Sequence, residues 1–268
     1  MGFRAGRRMI GSRRNLGRLA LPCLLAAVAL AFPVGEARAG FTTFFGIDQG
    51  NGTPPTTPNL SLAARTSFVS ALGTVGVENF ESYAVGNPPA SLSFVGSGVT
   101  ATATYAAGEA INNAQDNGAF ATSGTHYLDS QGVRDDRLAF SSPVAGIGFY
   151  VTDLSDGGTA PDQISVILTL VGGGTQTFTT SVTTGNSNAN VLFFGVAGTT
   201  PSDLFSQVEI LNTFTTEGDV HGIDDLTVGL APVPEPPSLA MLGLGLLGAS
   251  GVRVFRRRAR ISGGAVSG

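Results

Sequence analysis

The feature that most limits how this chain can fold is a recurrence of short period-two apolar runs, each closed by glycine, asparagine, aspartate or proline. Gln163 to Val171 and Thr175 to Val182 flank Gly172-Gly173-Gly174, and together they predict a β-hairpin. Seven further runs share this character: Gly76 to Tyr83, Val99 to Tyr105, Arg137 to Phe140, Gly146 to Thr152, Asn190 to Val196, Phe205 to Thr213 and His221 to Gly229. Their Val, Ile, Thr and aromatic content suits a pleated, half-buried surface. Nine strands without intervening helices argue against a parallel α/β fold and predict a mainly β, antiparallel sandwich over residues 60–230. A body of roughly 190 residues is long enough to bury one substantial core.

One short helix precedes the strands. Asn59 or Ser61 can cap it, Leu62, Arg65, Phe68, Val69 and Leu72 follow at helical spacing, and Gly73 ends it. Residues 40–59 read as a linker, because Asp48-Gln49-Gly50-Asn51-Gly52, Pro54-Pro55 and Pro58 are turn and coil chemistry.

Both ends carry targeting patterns. Residues 1–39 have a basic start (Arg4, Arg7, Arg8, Arg13, Arg14, Arg18), an apolar stretch from Leu19 to Phe32, and a small-x-small site at Ala37-Arg38-Ala39. This is the layout of an export signal peptide. Ser12-Arg13-Arg14-Asn15-Leu16 is also compatible with the twin-arginine route, beside the ordinary Sec route. Cys23, the one cysteine, lies in this segment, so the mature chain would have no disulfide and no cysteine-bound metal.

At the other end, residues 231–268 open with Pro232, Pro234, Pro236 and Pro237, which bar helix and strand alike. Ser238 to Phe255 then form a run whose one charge is Arg253. As a helix this run would span roughly 27 Å, which is enough for a bilayer core. Arg256-Arg257-Arg258-Ala259-Arg260 closes it, and the positive-inside rule places this cluster on the cytoplasmic side.

The ordered series Pro234-Glu235-Pro236, apolar run, then Arg256, Arg257 and Arg258 closely resembles the PEP-CTERM sorting signal. The resemblance implies recognition by exosortase, a membrane-embedded transpeptidase-like protease of Gram-negative bacteria. It also implies transient inner-membrane anchoring, removal of the anchor, and transfer to the cell surface or extracellular polysaccharide. Eight residues, Ile261 to Gly268, extend past the point where the family usually stops. Ala63-Ala64-Arg65, Phe68, Asn79-Phe80-Glu81-Ser82-Tyr83 and Gly222-Ile223-Asp224-Asp225-Leu226 are similar to the bodies of many such proteins. That likeness implies a jelly-roll sandwich of the lectin-like kind.

The charge distribution narrows the partners. Between Gly40 and Pro232 the basic side chains are Arg65, Arg134 and Arg137, against seventeen acids, a net charge of −14; the chain has no lysine. Such a surface repels phosphate backbones and argues against a nucleic-acid partner. Acids at strand ends suit a structural calcium ion, and by analogy with jelly-roll modules Glu81 with Asp224 or Asp225 are the candidate ligands. Strand alternation through Leu226 and Val228 would put Asp224 on the core side and Asp225 outside.

For catalysis the signals are poor. His126 and His221 are the two histidines, and neither a Gly-x-Ser-x-Gly elbow nor a His-x-x-x-His pair accompanies them. The expected function is therefore that of a non-catalytic surface or extracellular-matrix protein, associated with exopolysaccharide or biofilm. The alternative is a secreted carbohydrate-binding module, with a polysaccharide hydrolase behind it. Tryptophan is absent, so sugar stacking would fall to tyrosine, and Tyr105 and Tyr127 with Arg134 and Asp135 are the candidate ligand residues.

Overall fold

In a computed structural model of the chain, the residues described are 40–131, 134–154, 163–180, 186–213 and 220–231. The signal peptide expected at 1–39, the membrane segment expected at 238–255, and Pro234, Glu235, Pro236 and Arg256 to Arg258 lie outside the described residues. Among the described residues no helix is long and apolar enough to cross a membrane.

The described residues form thirteen strands and one α-helix: β1 (Phe41–Asp48), α1 (Leu60–Ser70), β2 (Val75–Glu78), β3 (Ser91–Phe94), β4 (Val99–Thr104), β5 (Ala110–Asn112), β6 (Tyr127–Gln131), β7 (Asp135–Val144), β8 (Gly146–Thr152), β9 (Gln163–Leu170), β10 (Thr175–Thr179), β11 (Val191–Gly198), β12 (Phe205–Thr213) and β13 (Val220–Gly229). They form two antiparallel sheets. One runs β1-β11-β8-β13-β6-β5, with β2 also on β13; the other runs β10-β9-β12-β7-β4-β3. From β6 onward the chain steps between sheets, giving the neighbour orders 6-13-8-11 and 7-12-9-10. That is the winding of an eight-stranded jelly roll.

The expected antiparallel sandwich with one helix is what the chain forms. The linker expected at 40–59 is corrected: residues 41–48 are an edge strand, paired with β11 from Phe41↔Gly198 to Asp48↔Val191. Its aromatic and threonine residues favour pleating, and the turn chemistry begins only at Asp48.

The two faces of the β8 sheet explain its composition. Ile147, Phe149 and Val151 of β8, with Leu192, Phe194 and Val196 of β11, meet Val166, Leu168, Val208 and Ile210 of the opposite sheet in the main core. The outer face is buried too, because Ala64, Phe68 and Leu72 pack onto Tyr150, Val191 and Phe193. Strands covered on both sides lose polar alternation, and every residue of β8, β11 and β13 is buried. The opposite sheet keeps a solvent face, as the alternating burial of β3 and β4 records.

Glycine makes room for the helix. Gly148 and Gly195 are register partners, and a Cβ on Gly195 would stand 2.8 Å from Cδ2 of Phe68. Such an approach is closer than real Cβ atoms tolerate, so Phe68 can lie flat only where both side chains are missing.

The helix start is capped from outside. Asn59 makes no side-chain cap bond; instead the Asp48 carboxylate accepts from Asn59 N (3.1 Å), Leu60 N (3.0 Å), Ser61 N (2.8 Å) and Ser61 Oγ (2.7 Å). Burial opposes its charge, yet these bonds hold the carboxyl below its usual range. Asp203 serves the other end of β1. Fully buried, it accepts from Gly40 N (3.0 Å), Thr199 N (3.0 Å) and Thr200 N (2.7 Å).

Candidate functional site

The site is built around an interruption of β13. Asp224 pairs with Tyr150 and Thr227 with Gly148, so Asp225 and Leu226 together face Phe149. This is a β-bulge, with Asp225 at φ 49°. The bulge resets the alternation: Ile223 and Leu226 both enter the main core. Asp224 therefore lies on the helix side, beside its register partner Tyr150, and not on the core side as even alternation predicts.

The segment before β6 closes over this bulge. Asp224 Oδ2 accepts from Thr122 N (2.7 Å), Thr122 Oγ1 (2.9 Å) and Ser123 N (2.9 Å), and Asp225 Oδ1 accepts from Ser123 Oγ (2.7 Å). Burial first, then the Asp225 charge, pushes the Asp224 carboxyl up to about 7. Glu81 accepts from Thr125 N and His126 N at 2.5 Å each. Burial opposes its charge, but the His126 and Thr125 bonds together outweigh it and hold the carboxyl down at about 2.

The three carboxylates named for calcium thus hold one loop, 122–126, at different points. Among the described residues no group of three or more His, Cys, Asp or Glu side chains is arranged to hold a metal ion. Asp224 and Glu81 spend their oxygens on N–H donors, a pattern of loop anchoring.

Beside Asp225 opens a cleft of about 500 Å³, lined by Pro54, Pro55, Arg65, Phe120, Tyr150 and Asp225 among others. That volume falls in the range of small-molecule sites. Tyr150 is fixed edge-on against Phe193, with ring centroids 5.3 Å apart. Burial pushes its phenol up, while the nearby Arg65 charge pulls it down. Phe120 is tied to β8 through Phe120 N to Thr152 Oγ1 (3.1 Å) and Thr152 Oγ1 to Phe120 O (3.0 Å).

Arg65 stands apart from the other two arginines of the body. Arg134 is paired with Glu109 and Asp136, and Arg137 with Asp135 and Glu209. Among the described residues Arg65 has no carboxylate within 4 Å, and its Nε is buried without a hydrogen-bond partner. Although Leu62 and Arg65 recur at helical spacing, they border the cleft, and Ser61, Ala64 and Phe68 form the buried stripe of α1.

The tyrosines and arginine expected to bind sugar are placed elsewhere. Tyr127 is fully buried, and its hydroxyl donates to Ala114 O at 2.8 Å. Arg134 is also fully buried: its guanidinium donates to Asp136 Oδ2 (2.5 Å) and to His221 Nε2 (3.0 Å) and lies 3.3 Å from Glu109 Oε2. Burial, followed by Arg134, holds His221 well below its ordinary value, so the ring is neutral and accepts at Nε2. Burial pushes Glu109 up to about 7 against the pull of Arg134. Tyr105 packs against the main core, and Asp135 pairs with Arg137 at 3.1 Å on the surface. These four residues make no exposed stacking platform. Period-two alternation sets Tyr127 with Asp129 on the face opposite Leu128. The burial of Tyr127 there comes from the cover supplied by Ala119 and Val220, which the strand pattern does not show.

Residues 232–258 match the PEP-CTERM protein-sorting motif. The chain carries a PEP-CTERM sorting signal. This signal implies an exosortase-sorted surface protein, exported and anchored at its C-terminus before processing. No curated protein matches the chain in sequence.

Solved structures similar to the body include the K2 cleaved adhesin domain of Lys-gingipain, 15% identical over 59% of this chain and 98% of that one, with a TM-score of 0.41. The K1 domain of Lys-gingipain from Porphyromonas gingivalis W83 is 15% identical over 59% and 99%, with a TM-score of 0.37. The CBM22-1 xylan-binding domain of Paenibacillus barcinonensis Xyn10C is 14% identical over 61% and 97%, with a TM-score of 0.37.

Proposed function

We propose that the PEP-CTERM body works outside the cell as a non-catalytic component of the surface or its polysaccharide layer. The observation that carries this reading is the sorting motif at residues 232–258. On this reading residues 1–39 direct export and are removed, and 238–255 hold the protein in the inner membrane. Exosortase then cuts near Pro234-Glu235-Pro236. The acidic, lysine-free sandwich is the product, and its charge keeps it soluble and away from nucleic acid.

Mass spectrometry of the protein recovered from the cell surface and medium tests this. The mature form is expected to begin at Gly40 and to lack Arg256-Arg257-Arg258, while cells without exosortase keep the tail. A mature surface form with the arginine cluster intact would overturn the processing. Loss of surface retention after the extracellular polysaccharide is stripped tests the location.

A further inference from the structure

We propose that the cleft between α1 and the β13 bulge binds a neutral saccharide unit, with Arg65 donating to its hydroxyls, Asp225 accepting from them, and Tyr150 and Phe120 meeting its apolar ring face. The assignment rests on the polysaccharide association proposed above and gives it a place on the molecule.

Three observations converge on it. First, the cleft is lined by a guanidinium that has an unsatisfied donor and by a carboxylate. Arg65 has its Nε buried without a partner, and Asp225, only 8% exposed, uses Oδ1 for Ser123. The two do not pair with each other within 4 Å, so a ligand carrying both donors and acceptors can engage both. Neighbouring hydroxyls on a sugar ring do this, because each O–H both donates and accepts. A buried polar group left unpaired is costly, so satisfying it gives affinity.

Second, the walls are stiff. Tyr150 is fixed by Phe193, Phe120 by Thr152, and Pro54 and Pro55 have locked φ angles. A preformed wall loses little entropy on binding.

Third, charge selects among saccharides. One arginine in a body of net charge −14 does not offset the long-range repulsion of a uronate-rich polymer, whereas an uncharged sugar meets none.

The test uses the exported protein purified from its host, titrated calorimetrically with cellotriose, mannotriose and β-1,4-galactotriose, and in parallel with trigalacturonate and free glutamine. Arg65→Gln leaves the helix exterior intact. Asp225→Asn keeps a side chain that tolerates positive φ. Variants melting within about 2 °C of wild type, a shift of about 1 kcal/mol or less in a domain this size, count as folded.

At least one neutral trisaccharide is expected to bind, with each substitution weakening it at least tenfold and Arg137→Gln leaving it unchanged. Binding of trigalacturonate or glutamine alone would overturn the ligand class. Retention on host polysaccharide that survives the Arg65→Gln/Asp225→Asn pair would sink this site while leaving the proposed function standing. Failure of the wild type itself to be retained would remove both.

Discussion

Gly148 of β8 stands opposite Gly195 of β11, and the ring of Phe68 covers the pair. The helix is thereby seated on bare backbone, and its position, with that of Arg65 three residues earlier, depends on two absent side chains. A Cβ on Gly148 would meet Phe193 Cζ at 2.8 Å and Phe68 Cε1 at 2.9 Å. Gly195→Val is expected to destabilise the fold by about 1–3 kcal/mol through overpacking. Phe68→Ala should cost about 3–5 kcal/mol through the cavity it leaves. Urea unfolding measures both, and a Gly195→Val protein as stable as wild type would contradict the seat.

Removal of the Asp48 carboxylate deprives the first turn of α1 of its acceptor for three backbone N–H groups. Asp48→Ala is expected to lower stability by about 1–2 kcal/mol, the usual loss of a cap. Asp48→Asn should recover part of it, because the amide keeps one accepting oxygen. Hydrogen exchange at Leu60 and Ser61 is the local readout. Unchanged protection there would show that the cap is dispensable.

Stability should fall as pH rises from about 4 to 8. Asp224 and Glu109 are both held up to about 7 in the folded chain, whereas in the unfolded chain they ionise at ordinary carboxylate values. Between those limits the folded state carries more protons than the unfolded one, so each added pH unit favours unfolding. Asp48, Glu81 and His221 have the opposite sign. The two carboxylates lose their contribution only at the acid end, while His221, neutral in the fold, offsets part of the gain below its ordinary value without matching two carboxyls. Thermal melts across this range should give a higher Tm at pH 5 than at pH 8. Asp225→Asn, which removes the charge facing Asp224, should shrink the difference.

Arg134 binds two buried carboxylates, so its loss strands both. Arg134→Met is expected to cost about 3–5 kcal/mol at pH 8, the range for a broken buried pair. At pH 5, where Glu109 can take a proton, the cost should be smaller. Equal losses at both pH values would argue against an ionised Glu109 partner.

Much of the sandwich was legible in the sequence because the long strands keep period two on the solvent-facing sheet. β9 and β4 alternate cleanly, so the sequence pattern delimits both to within a residue. β3 and β5, of four and three residues, are too short to show a period, and β1 was hidden by the glycine and proline cluster that follows it. The cleft was less legible. Helical spacing groups Arg65 with Leu62 and Phe68, and only packing shows that Ser61 and Ala64 take the sheet side instead. Asp225 was visible as an acid beside Asp224, but its direction follows from the bulge, which shifts the phase by one residue without a glycine to mark it.

If the leader is removed as proposed, the Asp203 carboxylate that holds Gly40 N would have a further chemical effect. Removal of the leader after Ala39 turns that amide into an α-ammonium group, and the sequence supplies no lysine to accompany it. The exported body would then possess a single primary amine, tethered to a carboxylate inside the fold. Aldehydes and active esters would find one poorly nucleophilic target on the whole molecule. Capture chemistry aimed at its many carboxylates would succeed where amine coupling stalls.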